Sequence, residues 1–246
     1  MAHQIRWLAL VVALISTPAY AGLVLSQNDS ASAAIYQNGG GNGFGGTLGG
    51  GAITMDVQGT NLVVGFVPGN NLNDIVGLFL DTRAGGFLDA QMDDQADGSR
   101  RTLTNLTPNG DDSYPSGLLP DFGIAFGNFG TVLFELNAGN TPGHLNFLQF
   151  NGSVGSITIP LATLSNPSQI DFFAGYTADS GFNSNESLPG SAGLNGAGNP
   201  GFGDGSPRFY DNFNRFITTA AVPEASTVFV WGLVFMSAAC VRCRFN

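Results

Sequence analysis

The chain contains no lysine, and its eight basic residues are all arginines, set against 18 aspartates and glutamates. Three arginines and one acid lie in the terminal segments, which leaves five arginines, 17 acids and a net charge of −12 for residues 22–221. Phosphate binding requires a basic patch, which so acidic a chain does not offer. The composition therefore excludes nucleic acid and anionic membrane surfaces as partners.

Cysteine and the usual catalytic groups are scarce as well. Cys240 and Cys243 are the two cysteines, so no disulfide can form within residues 22–221, and their C-x-x-C spacing is not read as a redox or metal motif. His144 is the single histidine of that region, and no G-x-S-x-G elbow precedes it. The sequence predicts a protein that is not an enzyme. A glycoside hydrolase with two facing carboxylates is the remaining catalytic alternative.

Residues 1–21 have the three parts of a secretory signal peptide. Arg6 supplies the positive charge, residues 7–15 are apolar, and Ala19 and Ala21 form an A-x-A cleavage site. We therefore expect export across the inner membrane, with an uncleaved anchor as the alternative.

The other terminal segment, residues 222–246, combines a short polar step, an apolar run and a basic end. Val222, Pro223 and Glu224 come first, and the apolar run covers residues 228–241. As a helix this run is roughly 21 Å long, against a hydrocarbon core of about 30 Å. Arg242 and Arg244 then form a membrane stop on the cytoplasmic side. A transmembrane helix is predicted here.

The order of these parts resembles the PEP-CTERM sorting signal of Gram-negative bacteria, although Ala225 stands where the family has a second proline. The resemblance covers about 25 residues. It implies anchoring by the C-terminal helix, processing by an exosortase-type membrane enzyme, and delivery to the cell surface or an extracellular matrix that contains exopolysaccharide. The alternative is an ordinary tail anchor without processing.

Between the terminal segments, the pattern predicts an all-β domain over residues 53–221. Short apolar runs alternate with glycine, asparagine and proline turns, for example at 58–61 and 127–130. Asn151-Gly152 predicts a hairpin between the runs on either side. The expected fold is a single antiparallel β-sandwich, jelly-roll-like, with glycine-rich loops and a helix at each terminus.

Residues 22–52 are rich in glycine and asparagine and are interpreted as a flexible or loop-forming segment. Gly41, Gly43 and Gly46 match the G-x-G-x-x-G pattern of dinucleotide-binding proteins. No β-run precedes them and no helical pattern follows, so a nucleotide site is not predicted.

An acidic loop at 89–101 is the one candidate for a metal site. Its carboxylates are hard oxygen ligands of the kind calcium prefers, although the spacing is not that of an EF-hand. The candidates are Asp89, Asp93, Asp94 and Asp97. The alternative is a solvated loop in which Arg83, Arg100 and Arg101 pair with the acids, and no cofactor is then predicted.

The run Leu80-Asp81-Thr82, continued by Gly85-Gly86, loosely resembles β-sandwich modules of the carbohydrate-binding and DOMON-like kind. Aromatic rings available for stacking on sugars are Tyr114, Phe182 and Phe202. We expect an exported structural or interaction protein of the cell envelope or extracellular matrix. A carbohydrate-binding module of an exopolysaccharide matrix is the alternative.

Overall fold

A computed structural model of the chain describes residues 33–87, 94–106, 114–136, 145–178, 182–194 and 208–218. The predicted signal peptide with Ala19 and Ala21, the sorting motif, the two terminal arginines, Asp89, Asp93 and Phe202 lie outside these residues, as do both predicted terminal helices. Among the described residues, no helix has the length and apolar character needed to cross a membrane.

The described part of the chain is all-β, as predicted, and contains one helix that was not predicted at its position. The strands are β1 (Ala33–Tyr36), β2 (Ala52–Gln58), β3 (Asn61–Val67), β4 (Ile75–Asp81), β5 (Phe122–Gly127), β6 (Gly130–Leu136), β7 (Leu145–Asn151), β8 (Ser156–Pro160), β9 (Gln169–Thr177), β10 (Asn183–Leu188), β11 (Gly193–Leu194), β12 (Arg208–Phe209) and β13 (Asn214–Ile217). The helix is α1 (Gly98–Asn105).

Two antiparallel sheets account for most of the strands. The first has the order β1-β2-β3-β8, and the second has the order β10-β9-β4-β5-β6-β7, with β13 also paired to β9. Strands β4 to β7 are neighbours in chain order and form a meander, while β11 and β12 make a small ribbon of their own. The chain passes from the second sheet to the first between β7 and β8, and returns to the second at β9.

The two sheets share one apolar core, which gives the domain a sandwich-like architecture. Alternate residues of each strand enter it, because successive side chains of a strand point to opposite faces. Ile53 and Val64 contribute from the first sheet, and Leu78, Ile124 and Phe172 from the second. The opposite face of the second sheet carries another cluster, in which Phe79, Phe134 and Phe173 are buried.

Helix α1 covers that outer face and rests on glycines. A Cβ atom at Gly77 would lie 2.6 Å from Leu106 Cδ1, and one at Gly123 would lie 2.8 Å from Leu103 Cδ1. Gly175, paired with Gly77 across β9 and β4, meets Leu106 at 2.8 Å in the same way. These strand glycines form a groove for two leucines, whereas composition alone assigns the glycines of this chain to turns.

Several sequence expectations need correction. Strand β1 lies within the segment interpreted as loop-forming, and α1 lies in the predicted acidic loop. The predicted hairpin at Asn151-Gly152 is wrong, because β7 pairs with β6 and β8 pairs with β3. A bond from a side chain to the backbone links the two strands there: Asn151 Nδ2 donates to the Ser156 carbonyl at 2.9 Å. The turns at 58–61 and 127–130 are confirmed as tight connections between paired strands.

Candidate functional site

A pocket of about 410 Å³ opens at one end of the second sheet. Three separate segments meet there: the approach to β4, the start of α1, and the turn between β5 and β6. The lining residues are Asn73, Asp74, Ile75, Asp97, Gly98, Ser99, Asn128 and Phe129. The pocket therefore combines one aromatic ring with carboxylate, amide and hydroxyl groups.

Phe129 supplies the aromatic wall from the turn between β5 and β6. Its side chain is 44% exposed, although it belongs to a tight turn that closes at the Gly127–Gly130 pair. The ring rests directly over Gly127, where a Cβ atom would lie 2.2 Å from Phe129 Cε1. Because Gly127 has no side chain, the exposed Phe129 ring packs directly on the backbone.

Asp97 forms the helix side of the pocket and is the N-cap residue of α1. Its Oδ1 accepts a hydrogen bond from the Arg100 backbone N–H at 2.9 Å, as expected of an N-cap aspartate. The Arg100 guanidinium contacts Asp97 Oδ2 at 3.1 Å and Asp94 Oδ2 at 2.6 Å. It also lies over the Phe134 ring, 5.1 Å from the centroid.

This arrangement bears on the predicted calcium ligands. Asp94 and Asp97 do come close together, but an arginine lies between them, which is the alternative raised by the sequence. Within the described ranges, no group of three or more histidine, cysteine, aspartate or glutamate side chains is placed to hold a metal ion.

The glycine-rich segment forms hydrogen bonds with the connection between β3 and β4, which also contains Asn73 and Asp74. Thr47 Oγ1 donates to the Asn71 carbonyl at 2.9 Å, and the Gly69 N–H donates to the Thr47 carbonyl at 2.9 Å. Asn70 Nδ2 donates to the Gly45 carbonyl at 3.0 Å. The wall of the pocket formed by residues 73–75 is therefore tied to a second loop.

That second loop is itself organised around a fully buried carboxylate, Glu186 of β10. Its Oε1 accepts the N–H groups of Phe44 and Gly46, both at 2.9 Å. Its Oε2 accepts the N–H groups of Leu48 at 2.7 Å and Gly49 at 3.1 Å. Successive backbone amides that converge on an anion form a nest. Here the anion comes from the chain itself, so the G-x-G-x-x-G match has a structural role.

The opposite end of the second sheet carries a row of charged residues. Asp121 is buried and accepts the N–H groups of Thr82 and Arg83 at 2.9 and 3.0 Å. Arg83 Nε contacts Asp121 Oδ1 at 3.0 Å. On the next strands Asp171 forms a two-point pair with Arg215, at 2.6 and 2.7 Å, and stands directly opposite Asp81.

Asp121 and Asp171 each pair with an arginine, but no such ion pair is found for Asp81 among the described residues. The Asp81 carboxylate instead accepts the Leu119 N–H at 3.0 Å. Burial raises the pKa of its carboxyl group, and the charges of Asp121 and Asp171 raise it further, while the bond from Leu119 acts in the opposite direction. The charged form of Asp81 is therefore disfavoured in the folded chain.

We expect Asp81→Asn to stabilise the protein at neutral pH. An aspartate whose pKa is higher in the folded than in the unfolded chain destabilises the fold once it is ionised, and this penalty disappears below about pH 3.9, where both states hold the proton. The side chain is partly exposed, so the gain is at most about 1 kcal/mol. Thermal unfolding at pH 7 and pH 3 measures it. An equal gain at both pH values would contradict the electrostatic explanation.

Two of the aromatic residues selected from the sequence, Tyr114 and Phe182, are not among the exposed ones. Tyr114 is only 8% exposed and packs against Phe79 and Phe173, and Phe182 is half-buried. Among the residues that the structure describes, the exposed phenylalanines are instead Phe129, Phe147 and Phe150. Sequence reasoning could have selected Phe129 from its position in a predicted tight turn, where an aromatic ring has little to pack against.

Comparison with known proteins finds no matching family model, no matching curated protein and no matching solved structure.

Proposed function

We propose that this is an exported, non-enzymatic structural or interaction protein of the cell envelope or extracellular matrix. The observation that carries the proposal is the terminal segment with Val222-Pro223-Glu224, the apolar run and Arg242 and Arg244. In this proposal an exosortase-type enzyme processes the tail after the membrane helix has anchored the chain. The acidic composition supports a soluble domain outside the cell, since net charge far from zero opposes aggregation.

Intact-mass analysis of the protein from native envelope and medium tests this proposal. We expect a mature form that begins near Gly22 and ends near Val222. The double variant Pro223→Ala, Glu224→Ala should retain the segment through Asn246, because the processing enzyme no longer finds its motif. Substitution of Ala225 by proline, the residue of the resembled motif, is the matched control and should be processed at least as completely.

A mass that includes residue 246 in both the unmodified chain and the variant would mean a plain tail anchor. The resemblance to the sorting signal would then no longer explain the fate of the protein.

A second candidate function, carbohydrate binding, is favoured by the pocket. Small-molecule sites are concave, carry apolar or aromatic walls, and position a few polar groups. The pocket has an exposed ring, two carboxylates and two amides in that arrangement. The finer description of the domain, a jelly-roll-like module of the carbohydrate-binding kind, is part of this candidate.

The pocket favours binding over hydrolysis. A glycoside hydrolase uses two carboxyl groups, one as the acid and one as the base or nucleophile. One of the two pocket carboxylates, Asp97, caps α1 and contacts Arg100 at 3.1 Å. A carboxylate held in that way is committed to the structure of the helix, so we do not propose a catalytic role for it.

A further inference from the structure

We propose that the pocket binds a ring of a saccharide that carries no negative charge, either neutral or an amino sugar. This inference rests on the second candidate function and adds the binding residues and the charge class of the ligand. Phe129 provides the stacking surface, and Asp74, Asn73 and Asn128 provide the hydrogen-bonding groups.

The stacking surface is preformed. Phe129 is exposed, yet its ring rests over Gly127 and its turn is closed by the pairing of Gly127 with Gly130. A sugar ring has one face dominated by C–H groups, which gains by leaving water for an aromatic face. Because the ring is already held in place, little side-chain entropy is lost when a ligand stacks on it.

The polar groups match a pattern of neighbouring hydroxyls. A carboxylate accepts hydrogen bonds at both of its oxygens, while an amide both donates and accepts. Asp74 lies next to Asn73, and Asn128 approaches from the turn that also carries Phe129. The backbone of Asp74 is fixed, since its N–H donates to Tyr176 Oη at 3.2 Å. The hydrogen-bonding groups therefore stand beside the ring on a braced backbone.

The charges of the lining select among saccharides. The lining includes two aspartates and, among the residues that the structure describes there, no arginine. A uronic acid or sulfated sugar would bring a negative charge next to Asp74, and like charges disfavour the wrong partner. Asp97 adds little to this selection, because its charge is offset by Arg100 at 3.1 Å. An ammonium group would instead gain from the Asp74 carboxylate and from the face of Phe129. Neutral sugars and amino sugars can both make the stacking contact and the hydrogen bonds described above.

Binding to defined oligosaccharides tests the inference. The full chain is purified in a detergent without a sugar headgroup and titrated calorimetrically with neutral glucan, mannan, galactan and xylan oligomers. A glucosamine oligomer forms the amino-sugar arm, and a galacturonate oligomer forms the anionic arm. We expect binding in a neutral or amino-sugar arm and at least tenfold weaker binding of galacturonate.

The variants locate the site. Phe129→Ala should weaken binding by about tenfold or more, whereas Phe150→Ala should leave it unchanged, since Phe150 is a similarly exposed phenylalanine outside the pocket. Asp74→Asn should reduce the difference in affinity between the uncharged saccharides and galacturonate, because it removes one negative charge. Thermal unfolding of each variant checks that it remains folded.

Three results would overturn the inference: no binding in any neutral or amino-sugar arm, equal binding of galacturonate, or equal losses in Phe129→Ala and Phe150→Ala. The mass of the mature protein is measured separately, on protein from native envelope and medium. A processed tail without saccharide binding would remove this inference alone, and saccharide binding with an unprocessed tail would remove only the sorting proposal.

Discussion

Replacing Glu186 by alanine is expected to lower the free energy of unfolding by about 3–5 kcal/mol. A hydrogen bond to a charged group contributes about 1.5–3 kcal/mol, so four would sum to about 6–12 kcal/mol, and water that reaches the part-buried amides replaces some of that sum. The amides of Phe44, Gly46, Leu48 and Gly49 lose their acceptor. Only part of that loss is recovered from water, since the Leu48 contact is buried. Domains of this kind have total stabilities of about 5–15 kcal/mol, so the variant is close to unfolding.

Urea denaturation of the purified chain measures the effect as a lower midpoint. Glu186→Gln is the shape-preserving variant: it keeps one acceptor oxygen and turns an amide NH₂ toward backbone N–H groups, so it should also destabilise strongly. Glu135→Ala is the matched control, a glutamate on a strand with a half-exposed side chain and an arginine partner. Its loss should stay within about 1 kcal/mol. Equal midpoints for Glu186→Ala and Glu135→Ala would contradict the role given to the nest.

The second large effect is expected at Gly49, where alanine does not fit. A Cβ atom there would lie 2.0 Å from the Gly41 carbonyl oxygen and 2.7 Å from that of Gly40, and both contacts are to backbone. The loop must move apart, and the Gly49 N–H then leaves Glu186. We expect Gly49→Ala to cost about 2–4 kcal/mol, the sum of an overpacking strain of about 1–3 kcal/mol and a weakened hydrogen bond.

Gly152→Ala is the control for this prediction. The nearest atom to a Cβ at Gly152 is Phe150 Cε1 at 3.9 Å, an ordinary contact distance. The change should lie within about 0.5 kcal/mol, as for most surface substitutions. Paired denaturation curves give both values. If Gly49→Ala proves as mild as Gly152→Ala, the close approach of the two loop segments is not a constraint on the fold.

The local pattern was sufficient to predict the class of fold. Alternation in β2, as in Ile53 and Met55 set against Thr54, places one face in the core, and the turns at 58–61 and 127–130 connect strands that do pair. These features depend on neighbours in the sequence, which a sequence shows directly.

The hairpin predicted at Asn151-Gly152 does not form, because the partner of a strand is not determined by its sequence neighbours alone. The dipeptide specifies a reversal of the chain, but it does not specify the sheet to which the next strand belongs. Here β3, about 90 residues upstream, offers Val64 and Leu62 as partners for Ile157 and Ile159. Burial of those side chains in the shared core determines the pairing, so tertiary packing overrides the local signal.

Neither the nest nor the pocket was predictable from local pattern. Glu186 is separated from its amide partners by 137 to 142 positions, and a glutamate in a β-run gives no sign that it will be buried. The pocket joins residues 73–75, 97–99 and 128–129, whose proximity depends on the order of strands in the second sheet. The glycines of residues 22–52 stand out in the composition, but composition does not reveal which groups they surround.

The strand order also gives the domain a direction. Thr218 donates its N–H to the Ser168 carbonyl beside the start of β9, at the end of the sheet where Asp171 lies. The pocket lies beyond Ile75, at the other end of β4, and seven residues of strand separate the two ends by roughly 20 Å. The last described residue and the pocket therefore lie at opposite ends of the second sheet. Under the proposed anchoring through the C-terminal segment, the pocket would lie at the end of the sheet farther from the point of attachment.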